Sequence, residues 1–520
     1  MDTAAPGPAG RAHLTASHPH VVDEADQAAV VAALESGAAT HDSAPLRRID
    51  THLSRVFIAP GQVYKLSRAR RHPFIDLSDP RRRQAAAAAE VTVNRRLAPS
   101  LYRGTSVVTR AADGAIGLDG PGEEIDWVVV MKPIAPGAIL DEMAEAGALP
   151  VALVETLAEA LAGFHASLAP DHAAGRPSDY RRILDGLRAT EAQGAAALYA
   201  RRRSGRLFAR LEAELARLSP AIAARRRAGF VRHGHGDLHL RNICVFEGEV
   251  TPFDALAFDP ALATSDILYD LAFLLMDLRA RDLAAHANAA MNRYWDASGQ
   301  PEAALALLPF FMALRASVRM AVLTEGGDLA QAGRYRRLAL RLLTSARPCL
   351  AAIGGLSGTG KSVVARALAP RLAGVCGARL LRSDIVRKQL AGVAATRRLD
   401  AAAYAPGARA AVYRALARRS REALAAGAVV VVDATFRERG ARRAIEAATL
   451  GHPFAGLWLR TSARMRIASL AGRQGDASDI TAERAADQVE PADLSASWRI
   501  LDAERAIGRV AADAARLLGL

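Results

Sequence analysis

The chain is 520 residues long, 51% hydrophobic and 23% charged, with a formal net charge of +14. At roughly 150 residues per domain this length predicts two to four globular domains, and the basic excess suits polyanionic partners. Three widely spaced cysteines (Cys244, Cys349, Cys376), with no C-x-x-C pair, argue against a zinc cluster or a disulfide framework and predict a reducing, cytoplasmic setting. No apolar run reaches the roughly 18 residues that predict a membrane span. The N-terminus also lacks the basic and apolar segments of a signal peptide.

In chain order, residues 1–20 mix Pro, Gly, Ala and His without periodicity and predict a mobile tail. A short helix is predicted from 23 or 26 to 34. Two strands, 54–58 and 62–66, flank the hairpin signal Pro60-Gly61, and the second carries Lys65. Residues 81–97 predict a helix with Glu90 set among alanines; 107–109 and 127–131 supply further strands. The opening is therefore β-rich with one helix.

From Leu149 onward long Ala/Leu/Arg helices are predicted at 151–168, 180–188 and 195–218, and again at 267–279, 281–295, 301–323 and 332–345. One compact polar block, 233–259, interrupts them. Arg347-Pro348 breaks the last helix and predicts a domain boundary, giving 21–346 and 347–520.

The second part opens with an apolar strand at 349–353, then Gly355-Leu-Ser-Gly-Thr-Gly-Lys-Ser362, then a helix at 363–369. This is the spacing G-x-x-x-x-G-K-[ST] in its required strand–loop–helix context. Gly355, Ser357, Gly358, Thr359 and Gly360 would turn backbone N–H groups toward phosphate oxygens, with a helix dipole behind them. Lys361 would reach the β/γ-phosphates and Ser362 would ligate Mg²⁺, so ATP is the expected ligand. Strands at 379–382, 428–433 and 456–459 alternate with helices at 408–425, 438–448 and 463–472. Near-continuous apolar strands between helices predict a parallel sheet covered on both faces.

The polar block of the first part reads His235-Gly-Asp-Leu-His-Leu-Arg-Asn242, the pattern H-x-D-x-x-x-x-N of a phosphoryl-transfer catalytic loop. Asp237 would accept a hydroxyl proton, and Asn242 and Asp254 would gather Mg²⁺ with hard oxygen ligands. Lys65 on a strand and Glu90 on the next helix stand in the order of a Lys–Glu pair at the phosphates.

On these residues, together with Phe164-His165 and Asp266 through Phe273, positions up to about 345 resemble aminoglycoside phosphotransferase-like small-molecule kinases. The remainder is similar to the P-loop group of gluconate kinase, zeta-toxin-type kinases and polynucleotide 5′-kinase. The whole resembles bacterial proteins in which the two are fused. The resemblance implies a protein-kinase-like α+β domain, with a small β-rich lobe and a large helical lobe, followed by a P-loop α/β domain with a parallel sheet. It implies Asp237 as catalytic base, Asn242 and Asp254 as metal ligands, and Lys65 and Glu90 at the nucleotide. In the second part it implies Asp384 as the carboxylate facing the acceptor, Arg387 near a substrate anion, and Asp433 near metal or acceptor, with the metal the assignment taken. It places Arg466 and Arg473 on a closing lid. Two features depart from the pattern: no G-x-G-x-x-G covers the nucleotide in the first part, and Arg241 stands before Asn242, where a small residue is expected. The expected activity is transfer of the ATP γ-phosphoryl group to a hydroxyl of a small molecule at two sites. The alternatives are a nucleic-acid end kinase, less favoured because no aromatic platform lies near Asp384 in the sequence, and a nucleotide-sensing half that regulates the other.

Overall fold

The computed structural model describes residues 23–40, 45–72, 75–193, 197–344, 346–394, 397–471 and 488–518; the expected tail at 1–20 and Arg473 lie outside them. Contacts divide the chain into two compact units, one of residues up to Ala135 with Leu256–Asp259, the other Pro136–Ala255 with everything from Pro260 onward. The predicted junction near 347 falls inside the second unit.

The first unit is a six-stranded antiparallel sheet in the order Arg47–Asp50, Ser54–Ile58, Val63–Ser67, Glu123–Met131, Tyr102–Arg110, Ile116–Leu118. Phe57, Leu66, Val108 and Val128 form its core together with Val30 and Leu34 of the helix Ala28–Glu35. The helix Pro80–Asn94 starts on two sequence signals: Asp79 accepts the Arg81 N–H at 2.7 Å, and Pro80 fills a position whose N–H would be unpaired anyway. Arg83, fully buried, then ties this helix to the sheet through Asp126 at 2.7 Å. The edge strand Arg47–Asp50 escapes sequence reading because all four residues are exposed and carry no apolar alternation.

The second unit begins with the helical lobe. Its centre is the helix Ile267–Ala280, buried from Ile267 through Leu278 and accordingly apolar on nearly every face. The helix expected to end at 218 runs from Ala197 to Arg227 and passes through Pro220. Its last turn is anchored by Arg225, which grips Asp266 with two hydrogen bonds of 2.6 and 2.8 Å and stacks on Phe230, offsetting the hydrogen bond that proline forfeits. The predicted helix 301–323 resolves into a 3₁₀ turn, Glu302–Leu307, and the helix Leu308–Glu325, which starts where Pro309 cannot donate. This stretch is long and apolar enough to cross a membrane, but 72% of its most apolar window is buried within the protein.

The remainder of the unit carries five parallel strands in the order Arg379–Arg382, Val430–Asp433, Leu350–Gly355, Phe454–Arg460, Trp498–Asp502. The first four were expected. The edge strand Trp498–Asp502 and the helix Ile507–Leu517 were not, because two of five strand residues are buried and no continuous apolar run announces them.

Helical lobe and parallel sheet meet along the helix Ala284–Ser298. Asn288 donates to the carbonyls of Cys376 and Ala378 at 2.7 and 2.9 Å, and Asn292 accepts the Leu380 N–H at 2.7 Å. Arg379, 1% exposed, pairs with Glu302 and Asp296, each at 2.9 Å. One apolar core runs through both, from Leu157 to Phe436.

Candidate active sites

The residues of the predicted catalytic loop are positioned by two short strand pairs. The strand Val231–His233 pairs with Thr264–Asp266, and the hairpin Ile243–Phe246/Glu249–Pro252 follows the loop. Register pairs Ile243 with Pro252, so Asn242 and Asp254 flank the open end of the hairpin although twelve positions separate them. Asn242 Nδ2 donates to Asp237 Oδ2 and to its carbonyl, both at 3.0 Å. Asp254 has φ +57°, a conformation that costs a non-glycine residue about 1–3 kcal/mol and that concentrates at functional sites.

The loop is held from beneath by Asp270, which accepts the N–H groups of His235 at 2.7 Å and Gly236 at 2.9 Å. His165 Nε2 lies 3.2 Å from Asp270, and its Nδ1 lies 2.8 Å from the Tyr294 hydroxyl. Asp277 accepts the Leu240 N–H at 3.0 Å. His235 is buried, which pushes its pKa down, and its Nε2 faces the Phe253 carbonyl at 2.9 Å. The neutral ring therefore donates from Nε2 and accepts the Asp237 N–H at Nδ1, at 3.3 Å. Burial raises the Asp237 carboxyl, but the hydrogen bond and charge of His239, with His235 and Arg315, outweigh it and bring it down to about 2. Asp237 is thus an ionised acceptor at any ordinary pH. In the first unit, Lys65 Nζ meets Glu90 Oε1 at 2.8 Å, both largely shielded from solvent.

The P-loop has the expected form. Gly355, Gly358 and Gly360 have φ of +148°, +85° and +79°, and the helix Lys361–Leu368 follows. Lys361 Nζ donates to the Leu356 carbonyl at 2.8 Å, and Ser362 Oγ donates to Asp433 Oδ2 at 2.6 Å. A cavity of about 330 Å³ opens here, lined by Lys361, Ser362, Asp384, Arg387, Asp433 and Gln488 among others. Asp384 belongs to the first turn of the helix Ser383–Leu390, whose N-cap is Arg382 and has no side-chain cap, so Asp384 is not spent as a helix cap. Burial, and then the charge of Asp433, push the Asp384 carboxyl above its ordinary 3.8. Arg387 stacks on Tyr404 at 4.6 Å, donates to the Ala403 carbonyl at 2.9 Å, and keeps a buried Nε without a hydrogen-bond partner.

Arg466, buried, lies on the helix Ala463–Ala471, whose backbone closes over the P-loop. A Cβ on Gly358 would stand 2.5 Å from the Arg466 carbonyl oxygen. Gly358→Ala is therefore expected to lower the apparent unfolding temperature and to weaken ATP binding together, checked by thermal unfolding with and without nucleotide.

The expected metal ligands are oxygen donors in both centres, Asn242 and Asp254 in one and Ser362 and Asp433 in the other. Among the described residues no group of three or more His, Cys, Asp or Glu forms an all-protein cage. Such sparse oxygen sets fit Mg²⁺, which keeps waters and shares phosphate oxygens. Sequence reading missed Gln488, whose amide accepts the Ser357 N–H at 2.8 Å and donates to Ser357 Oγ at 3.1 Å. It also missed Tyr413, which bonds Thr435 at 3.0 Å and accepts the Phe436 N–H at 3.1 Å. No motif spacing marks either residue; the fold alone brings them to the strand ends.

Residues 61–307 match the family described as phosphotransferase enzyme family, and residues 350–493 match an AAA domain. Uncharacterized proteins of Mycobacterium tuberculosis and Mycobacterium bovis are each 29% identical over 496 residues, spanning 88% of this chain and 93% of the relative. Among solved structures, a gluconokinase from Sinorhizobium meliloti is 21% identical and covers 33% of this chain and 95% of its own, with a TM-score of 0.25. A choline/ethanolamine kinase family protein from Mesorhizobium loti is 16% identical and covers 61% of this chain and 95% of its own, with a TM-score of 0.36.

Proposed function

We propose, for a kinase whose residues 61–307 form a phosphotransferase-family domain and whose residues 350–493 form a P-loop domain, that each domain transfers the γ-phosphoryl group of Mg·ATP to a small-molecule hydroxyl. In the first centre Asp237 orients and deprotonates the acceptor and Asn242 and Asp254 hold the metal; the role given to the Lys65–Glu90 pair is contact with nucleotide phosphates. In the second, Lys361 and the loop amides hold the phosphates, Ser362 and Asp433 the metal, and Asp384 receives the acceptor proton. Arg387 binds a substrate anion, and Arg466 serves the nucleotide from the helix over the P-loop. Mg²⁺, when bound, would neutralise phosphate charge. The protein contributes positioning and fixed electrostatics, the main sources of rate in phosphoryl transfer.

The observation that carries this reading is the Asp237–Asn242 hydrogen bond above a loop pinned by Asp270. It leaves an ionised carboxylate oriented by neighbours and fixes the Asn242 amide through its nitrogen, so that the amide oxygen takes no part in that bond. The test is a screen of metabolite extracts for new phosphorylated products with the full chain, Asp237→Asn and Asp384→Asn. Each variant is expected to abolish a different product; a product set unchanged in both variants overturns the reading.

A further inference from the structure

The departure at Arg241 has a structural counterpart. Beside the catalytic loop lies a cavity of about 820 Å³ whose walls carry six arginines: Arg241, Arg281, Arg319, Arg334, Arg337 and Arg341. Four carboxylates share it, and their geometry shows three of them occupied. Asp277 holds the Leu240 N–H at 3.0 Å, Asp328 caps its helix through the Gln331 N–H at 3.0 Å, and Glu145 is 3.9 Å from Arg281. The fourth is Asp282.

Arg334, Arg337 and Arg341 follow one another at i, i+3 and i+7 along the helix Leu329–Leu342, a spacing that lines up one face. Among the described residues none of the three has an ion-pair partner. Asp141 pairs with both Arg241, at 3.0 Å, and Arg281, so the arginines left for a ligand are chiefly those of the helix Leu329–Leu342 with Arg319; the Arg281 Nε is buried without a hydrogen bond, its nearest Asp277 oxygen 3.5 Å away. A solvated helix face accounts for exposed arginines singly, but not for their convergence with Arg241 and Arg319 on one cavity. His239 also lines this cavity, and its Nε2 lies 3.4 Å from Asp237 Oδ2.

Resting on the reading of Asp237 as the acceptor base, we infer that this cavity is the acceptor site of the first centre and that its substrate is a phosphorylated hydroxy compound. The phosphate seats among the arginines, which match its geometry and charge, and its hydroxyl is presented past His239 to Asp237. Asp237 takes the hydroxyl proton, the acceptor oxygen bonds to the γ-phosphorus, and the bond from that phosphorus to the bridging oxygen breaks with its electron pair leaving on ADP. Cationic acceptors such as amino sugars or quaternary amines are disfavoured by the same field.

The test uses the full chain carrying Lys361→Ala, which silences the P-loop centre, with ribose 5-phosphate as probe and ribose and choline as controls. Calorimetry is expected to show saturable, salt-sensitive binding of ribose 5-phosphate alone. Arg334→Gln/Arg337→Gln, on an exposed helix face, should weaken it at least about tenfold with an unchanged unfolding temperature. Binding no tighter than that of ribose, or unaffected by the double variant, overturns the inference. So does tighter binding of a single-stranded oligonucleotide, which would make the arginines a nucleic-acid track. ATP consumption by the same protein, with and without Asp237→Asn, tests the underlying reading separately. Arginine-dependent binding without Asp237-dependent turnover overturns the assignment of Asp237 and, with it, the cavity's role as an acceptor site.

Discussion

Asp384→Asn is expected to lower the turnover of the P-loop centre by roughly 10²–10⁴-fold while leaving ATP affinity nearly constant. In the proposed reading nucleotide binding rests on the loop amides, Lys361 and Ser362, which line the same cavity and which this substitution leaves in place. Asparagine is nearly isosteric and keeps a hydrogen-bonding side chain, but it cannot take a proton. The helix following Arg382 is not capped by Asp384, so loss of a cap does not compete as an explanation. The pH profile provides an independent sign. Because burial and Asp433 raise the Asp384 pKa, its basic form is lost first as pH falls, with a midpoint above 3.8. Activity at this centre should therefore decline on acidification before activity at the Asp237 centre, whose carboxylate stays ionised down to about 2. Steady-state kinetics from pH 7 downward, product by product, checks the order. Retention of most of the kcat in the asparagine variant would remove Asp384 from the chemistry.

Arg379→Met is expected to destabilise the chain by about 3–5 kcal/mol, since it strands the buried Glu302 carboxylate and leaves the partly buried Asp296 without its cation. The guanidinium also bonds Asn292 at 3.0 Å, and Asn292 holds the first residues of the strand that leads into Asp384. Both activities should fall in denaturant at the same, lower midpoint. Adding Glu302→Met and Asp296→Asn should restore part of the loss, because the penalty comes from unpaired buried charge more than from the absent bond. If Arg379→Met unfolds like the parent, the pairing is ornamental.

Much of this architecture is legible in the residues. The P-loop strand and helix, the apolar strands after it and the H-x-D-x-x-x-x-N block carry local signals: glycines with positive φ, continuous apolar runs, a fixed spacing. What escaped lacks such signals. Arg47–Asp50 and Trp498–Asp502 are edge strands with little buried side chain, and the helix through Pro220 persists because Arg225 finds Asp266 from far along the chain. The arginine cavity could not be foreseen from Arg241 alone. Its partners come from helices that begin dozens of positions later, and among many arginines in a basic chain only the fold selects which of them converge.

The two hydrogen bonds between Gln488 and Ser357 bear on how the P-loop behaves between turnovers. A loop built to surround phosphate carries outward-facing donors that, left bare and shielded from water, would favour holding on to product. Here one of them already has an acceptor from the chain itself. Release of a nucleotide can then proceed as an exchange of one oxygen for another at the Ser357 nitrogen, with no orphaned amide along the way. A loop tethered in this way takes its shape from hydrogen bonds within the chain, and an incoming phosphate meets a mould that does not need to be rebuilt.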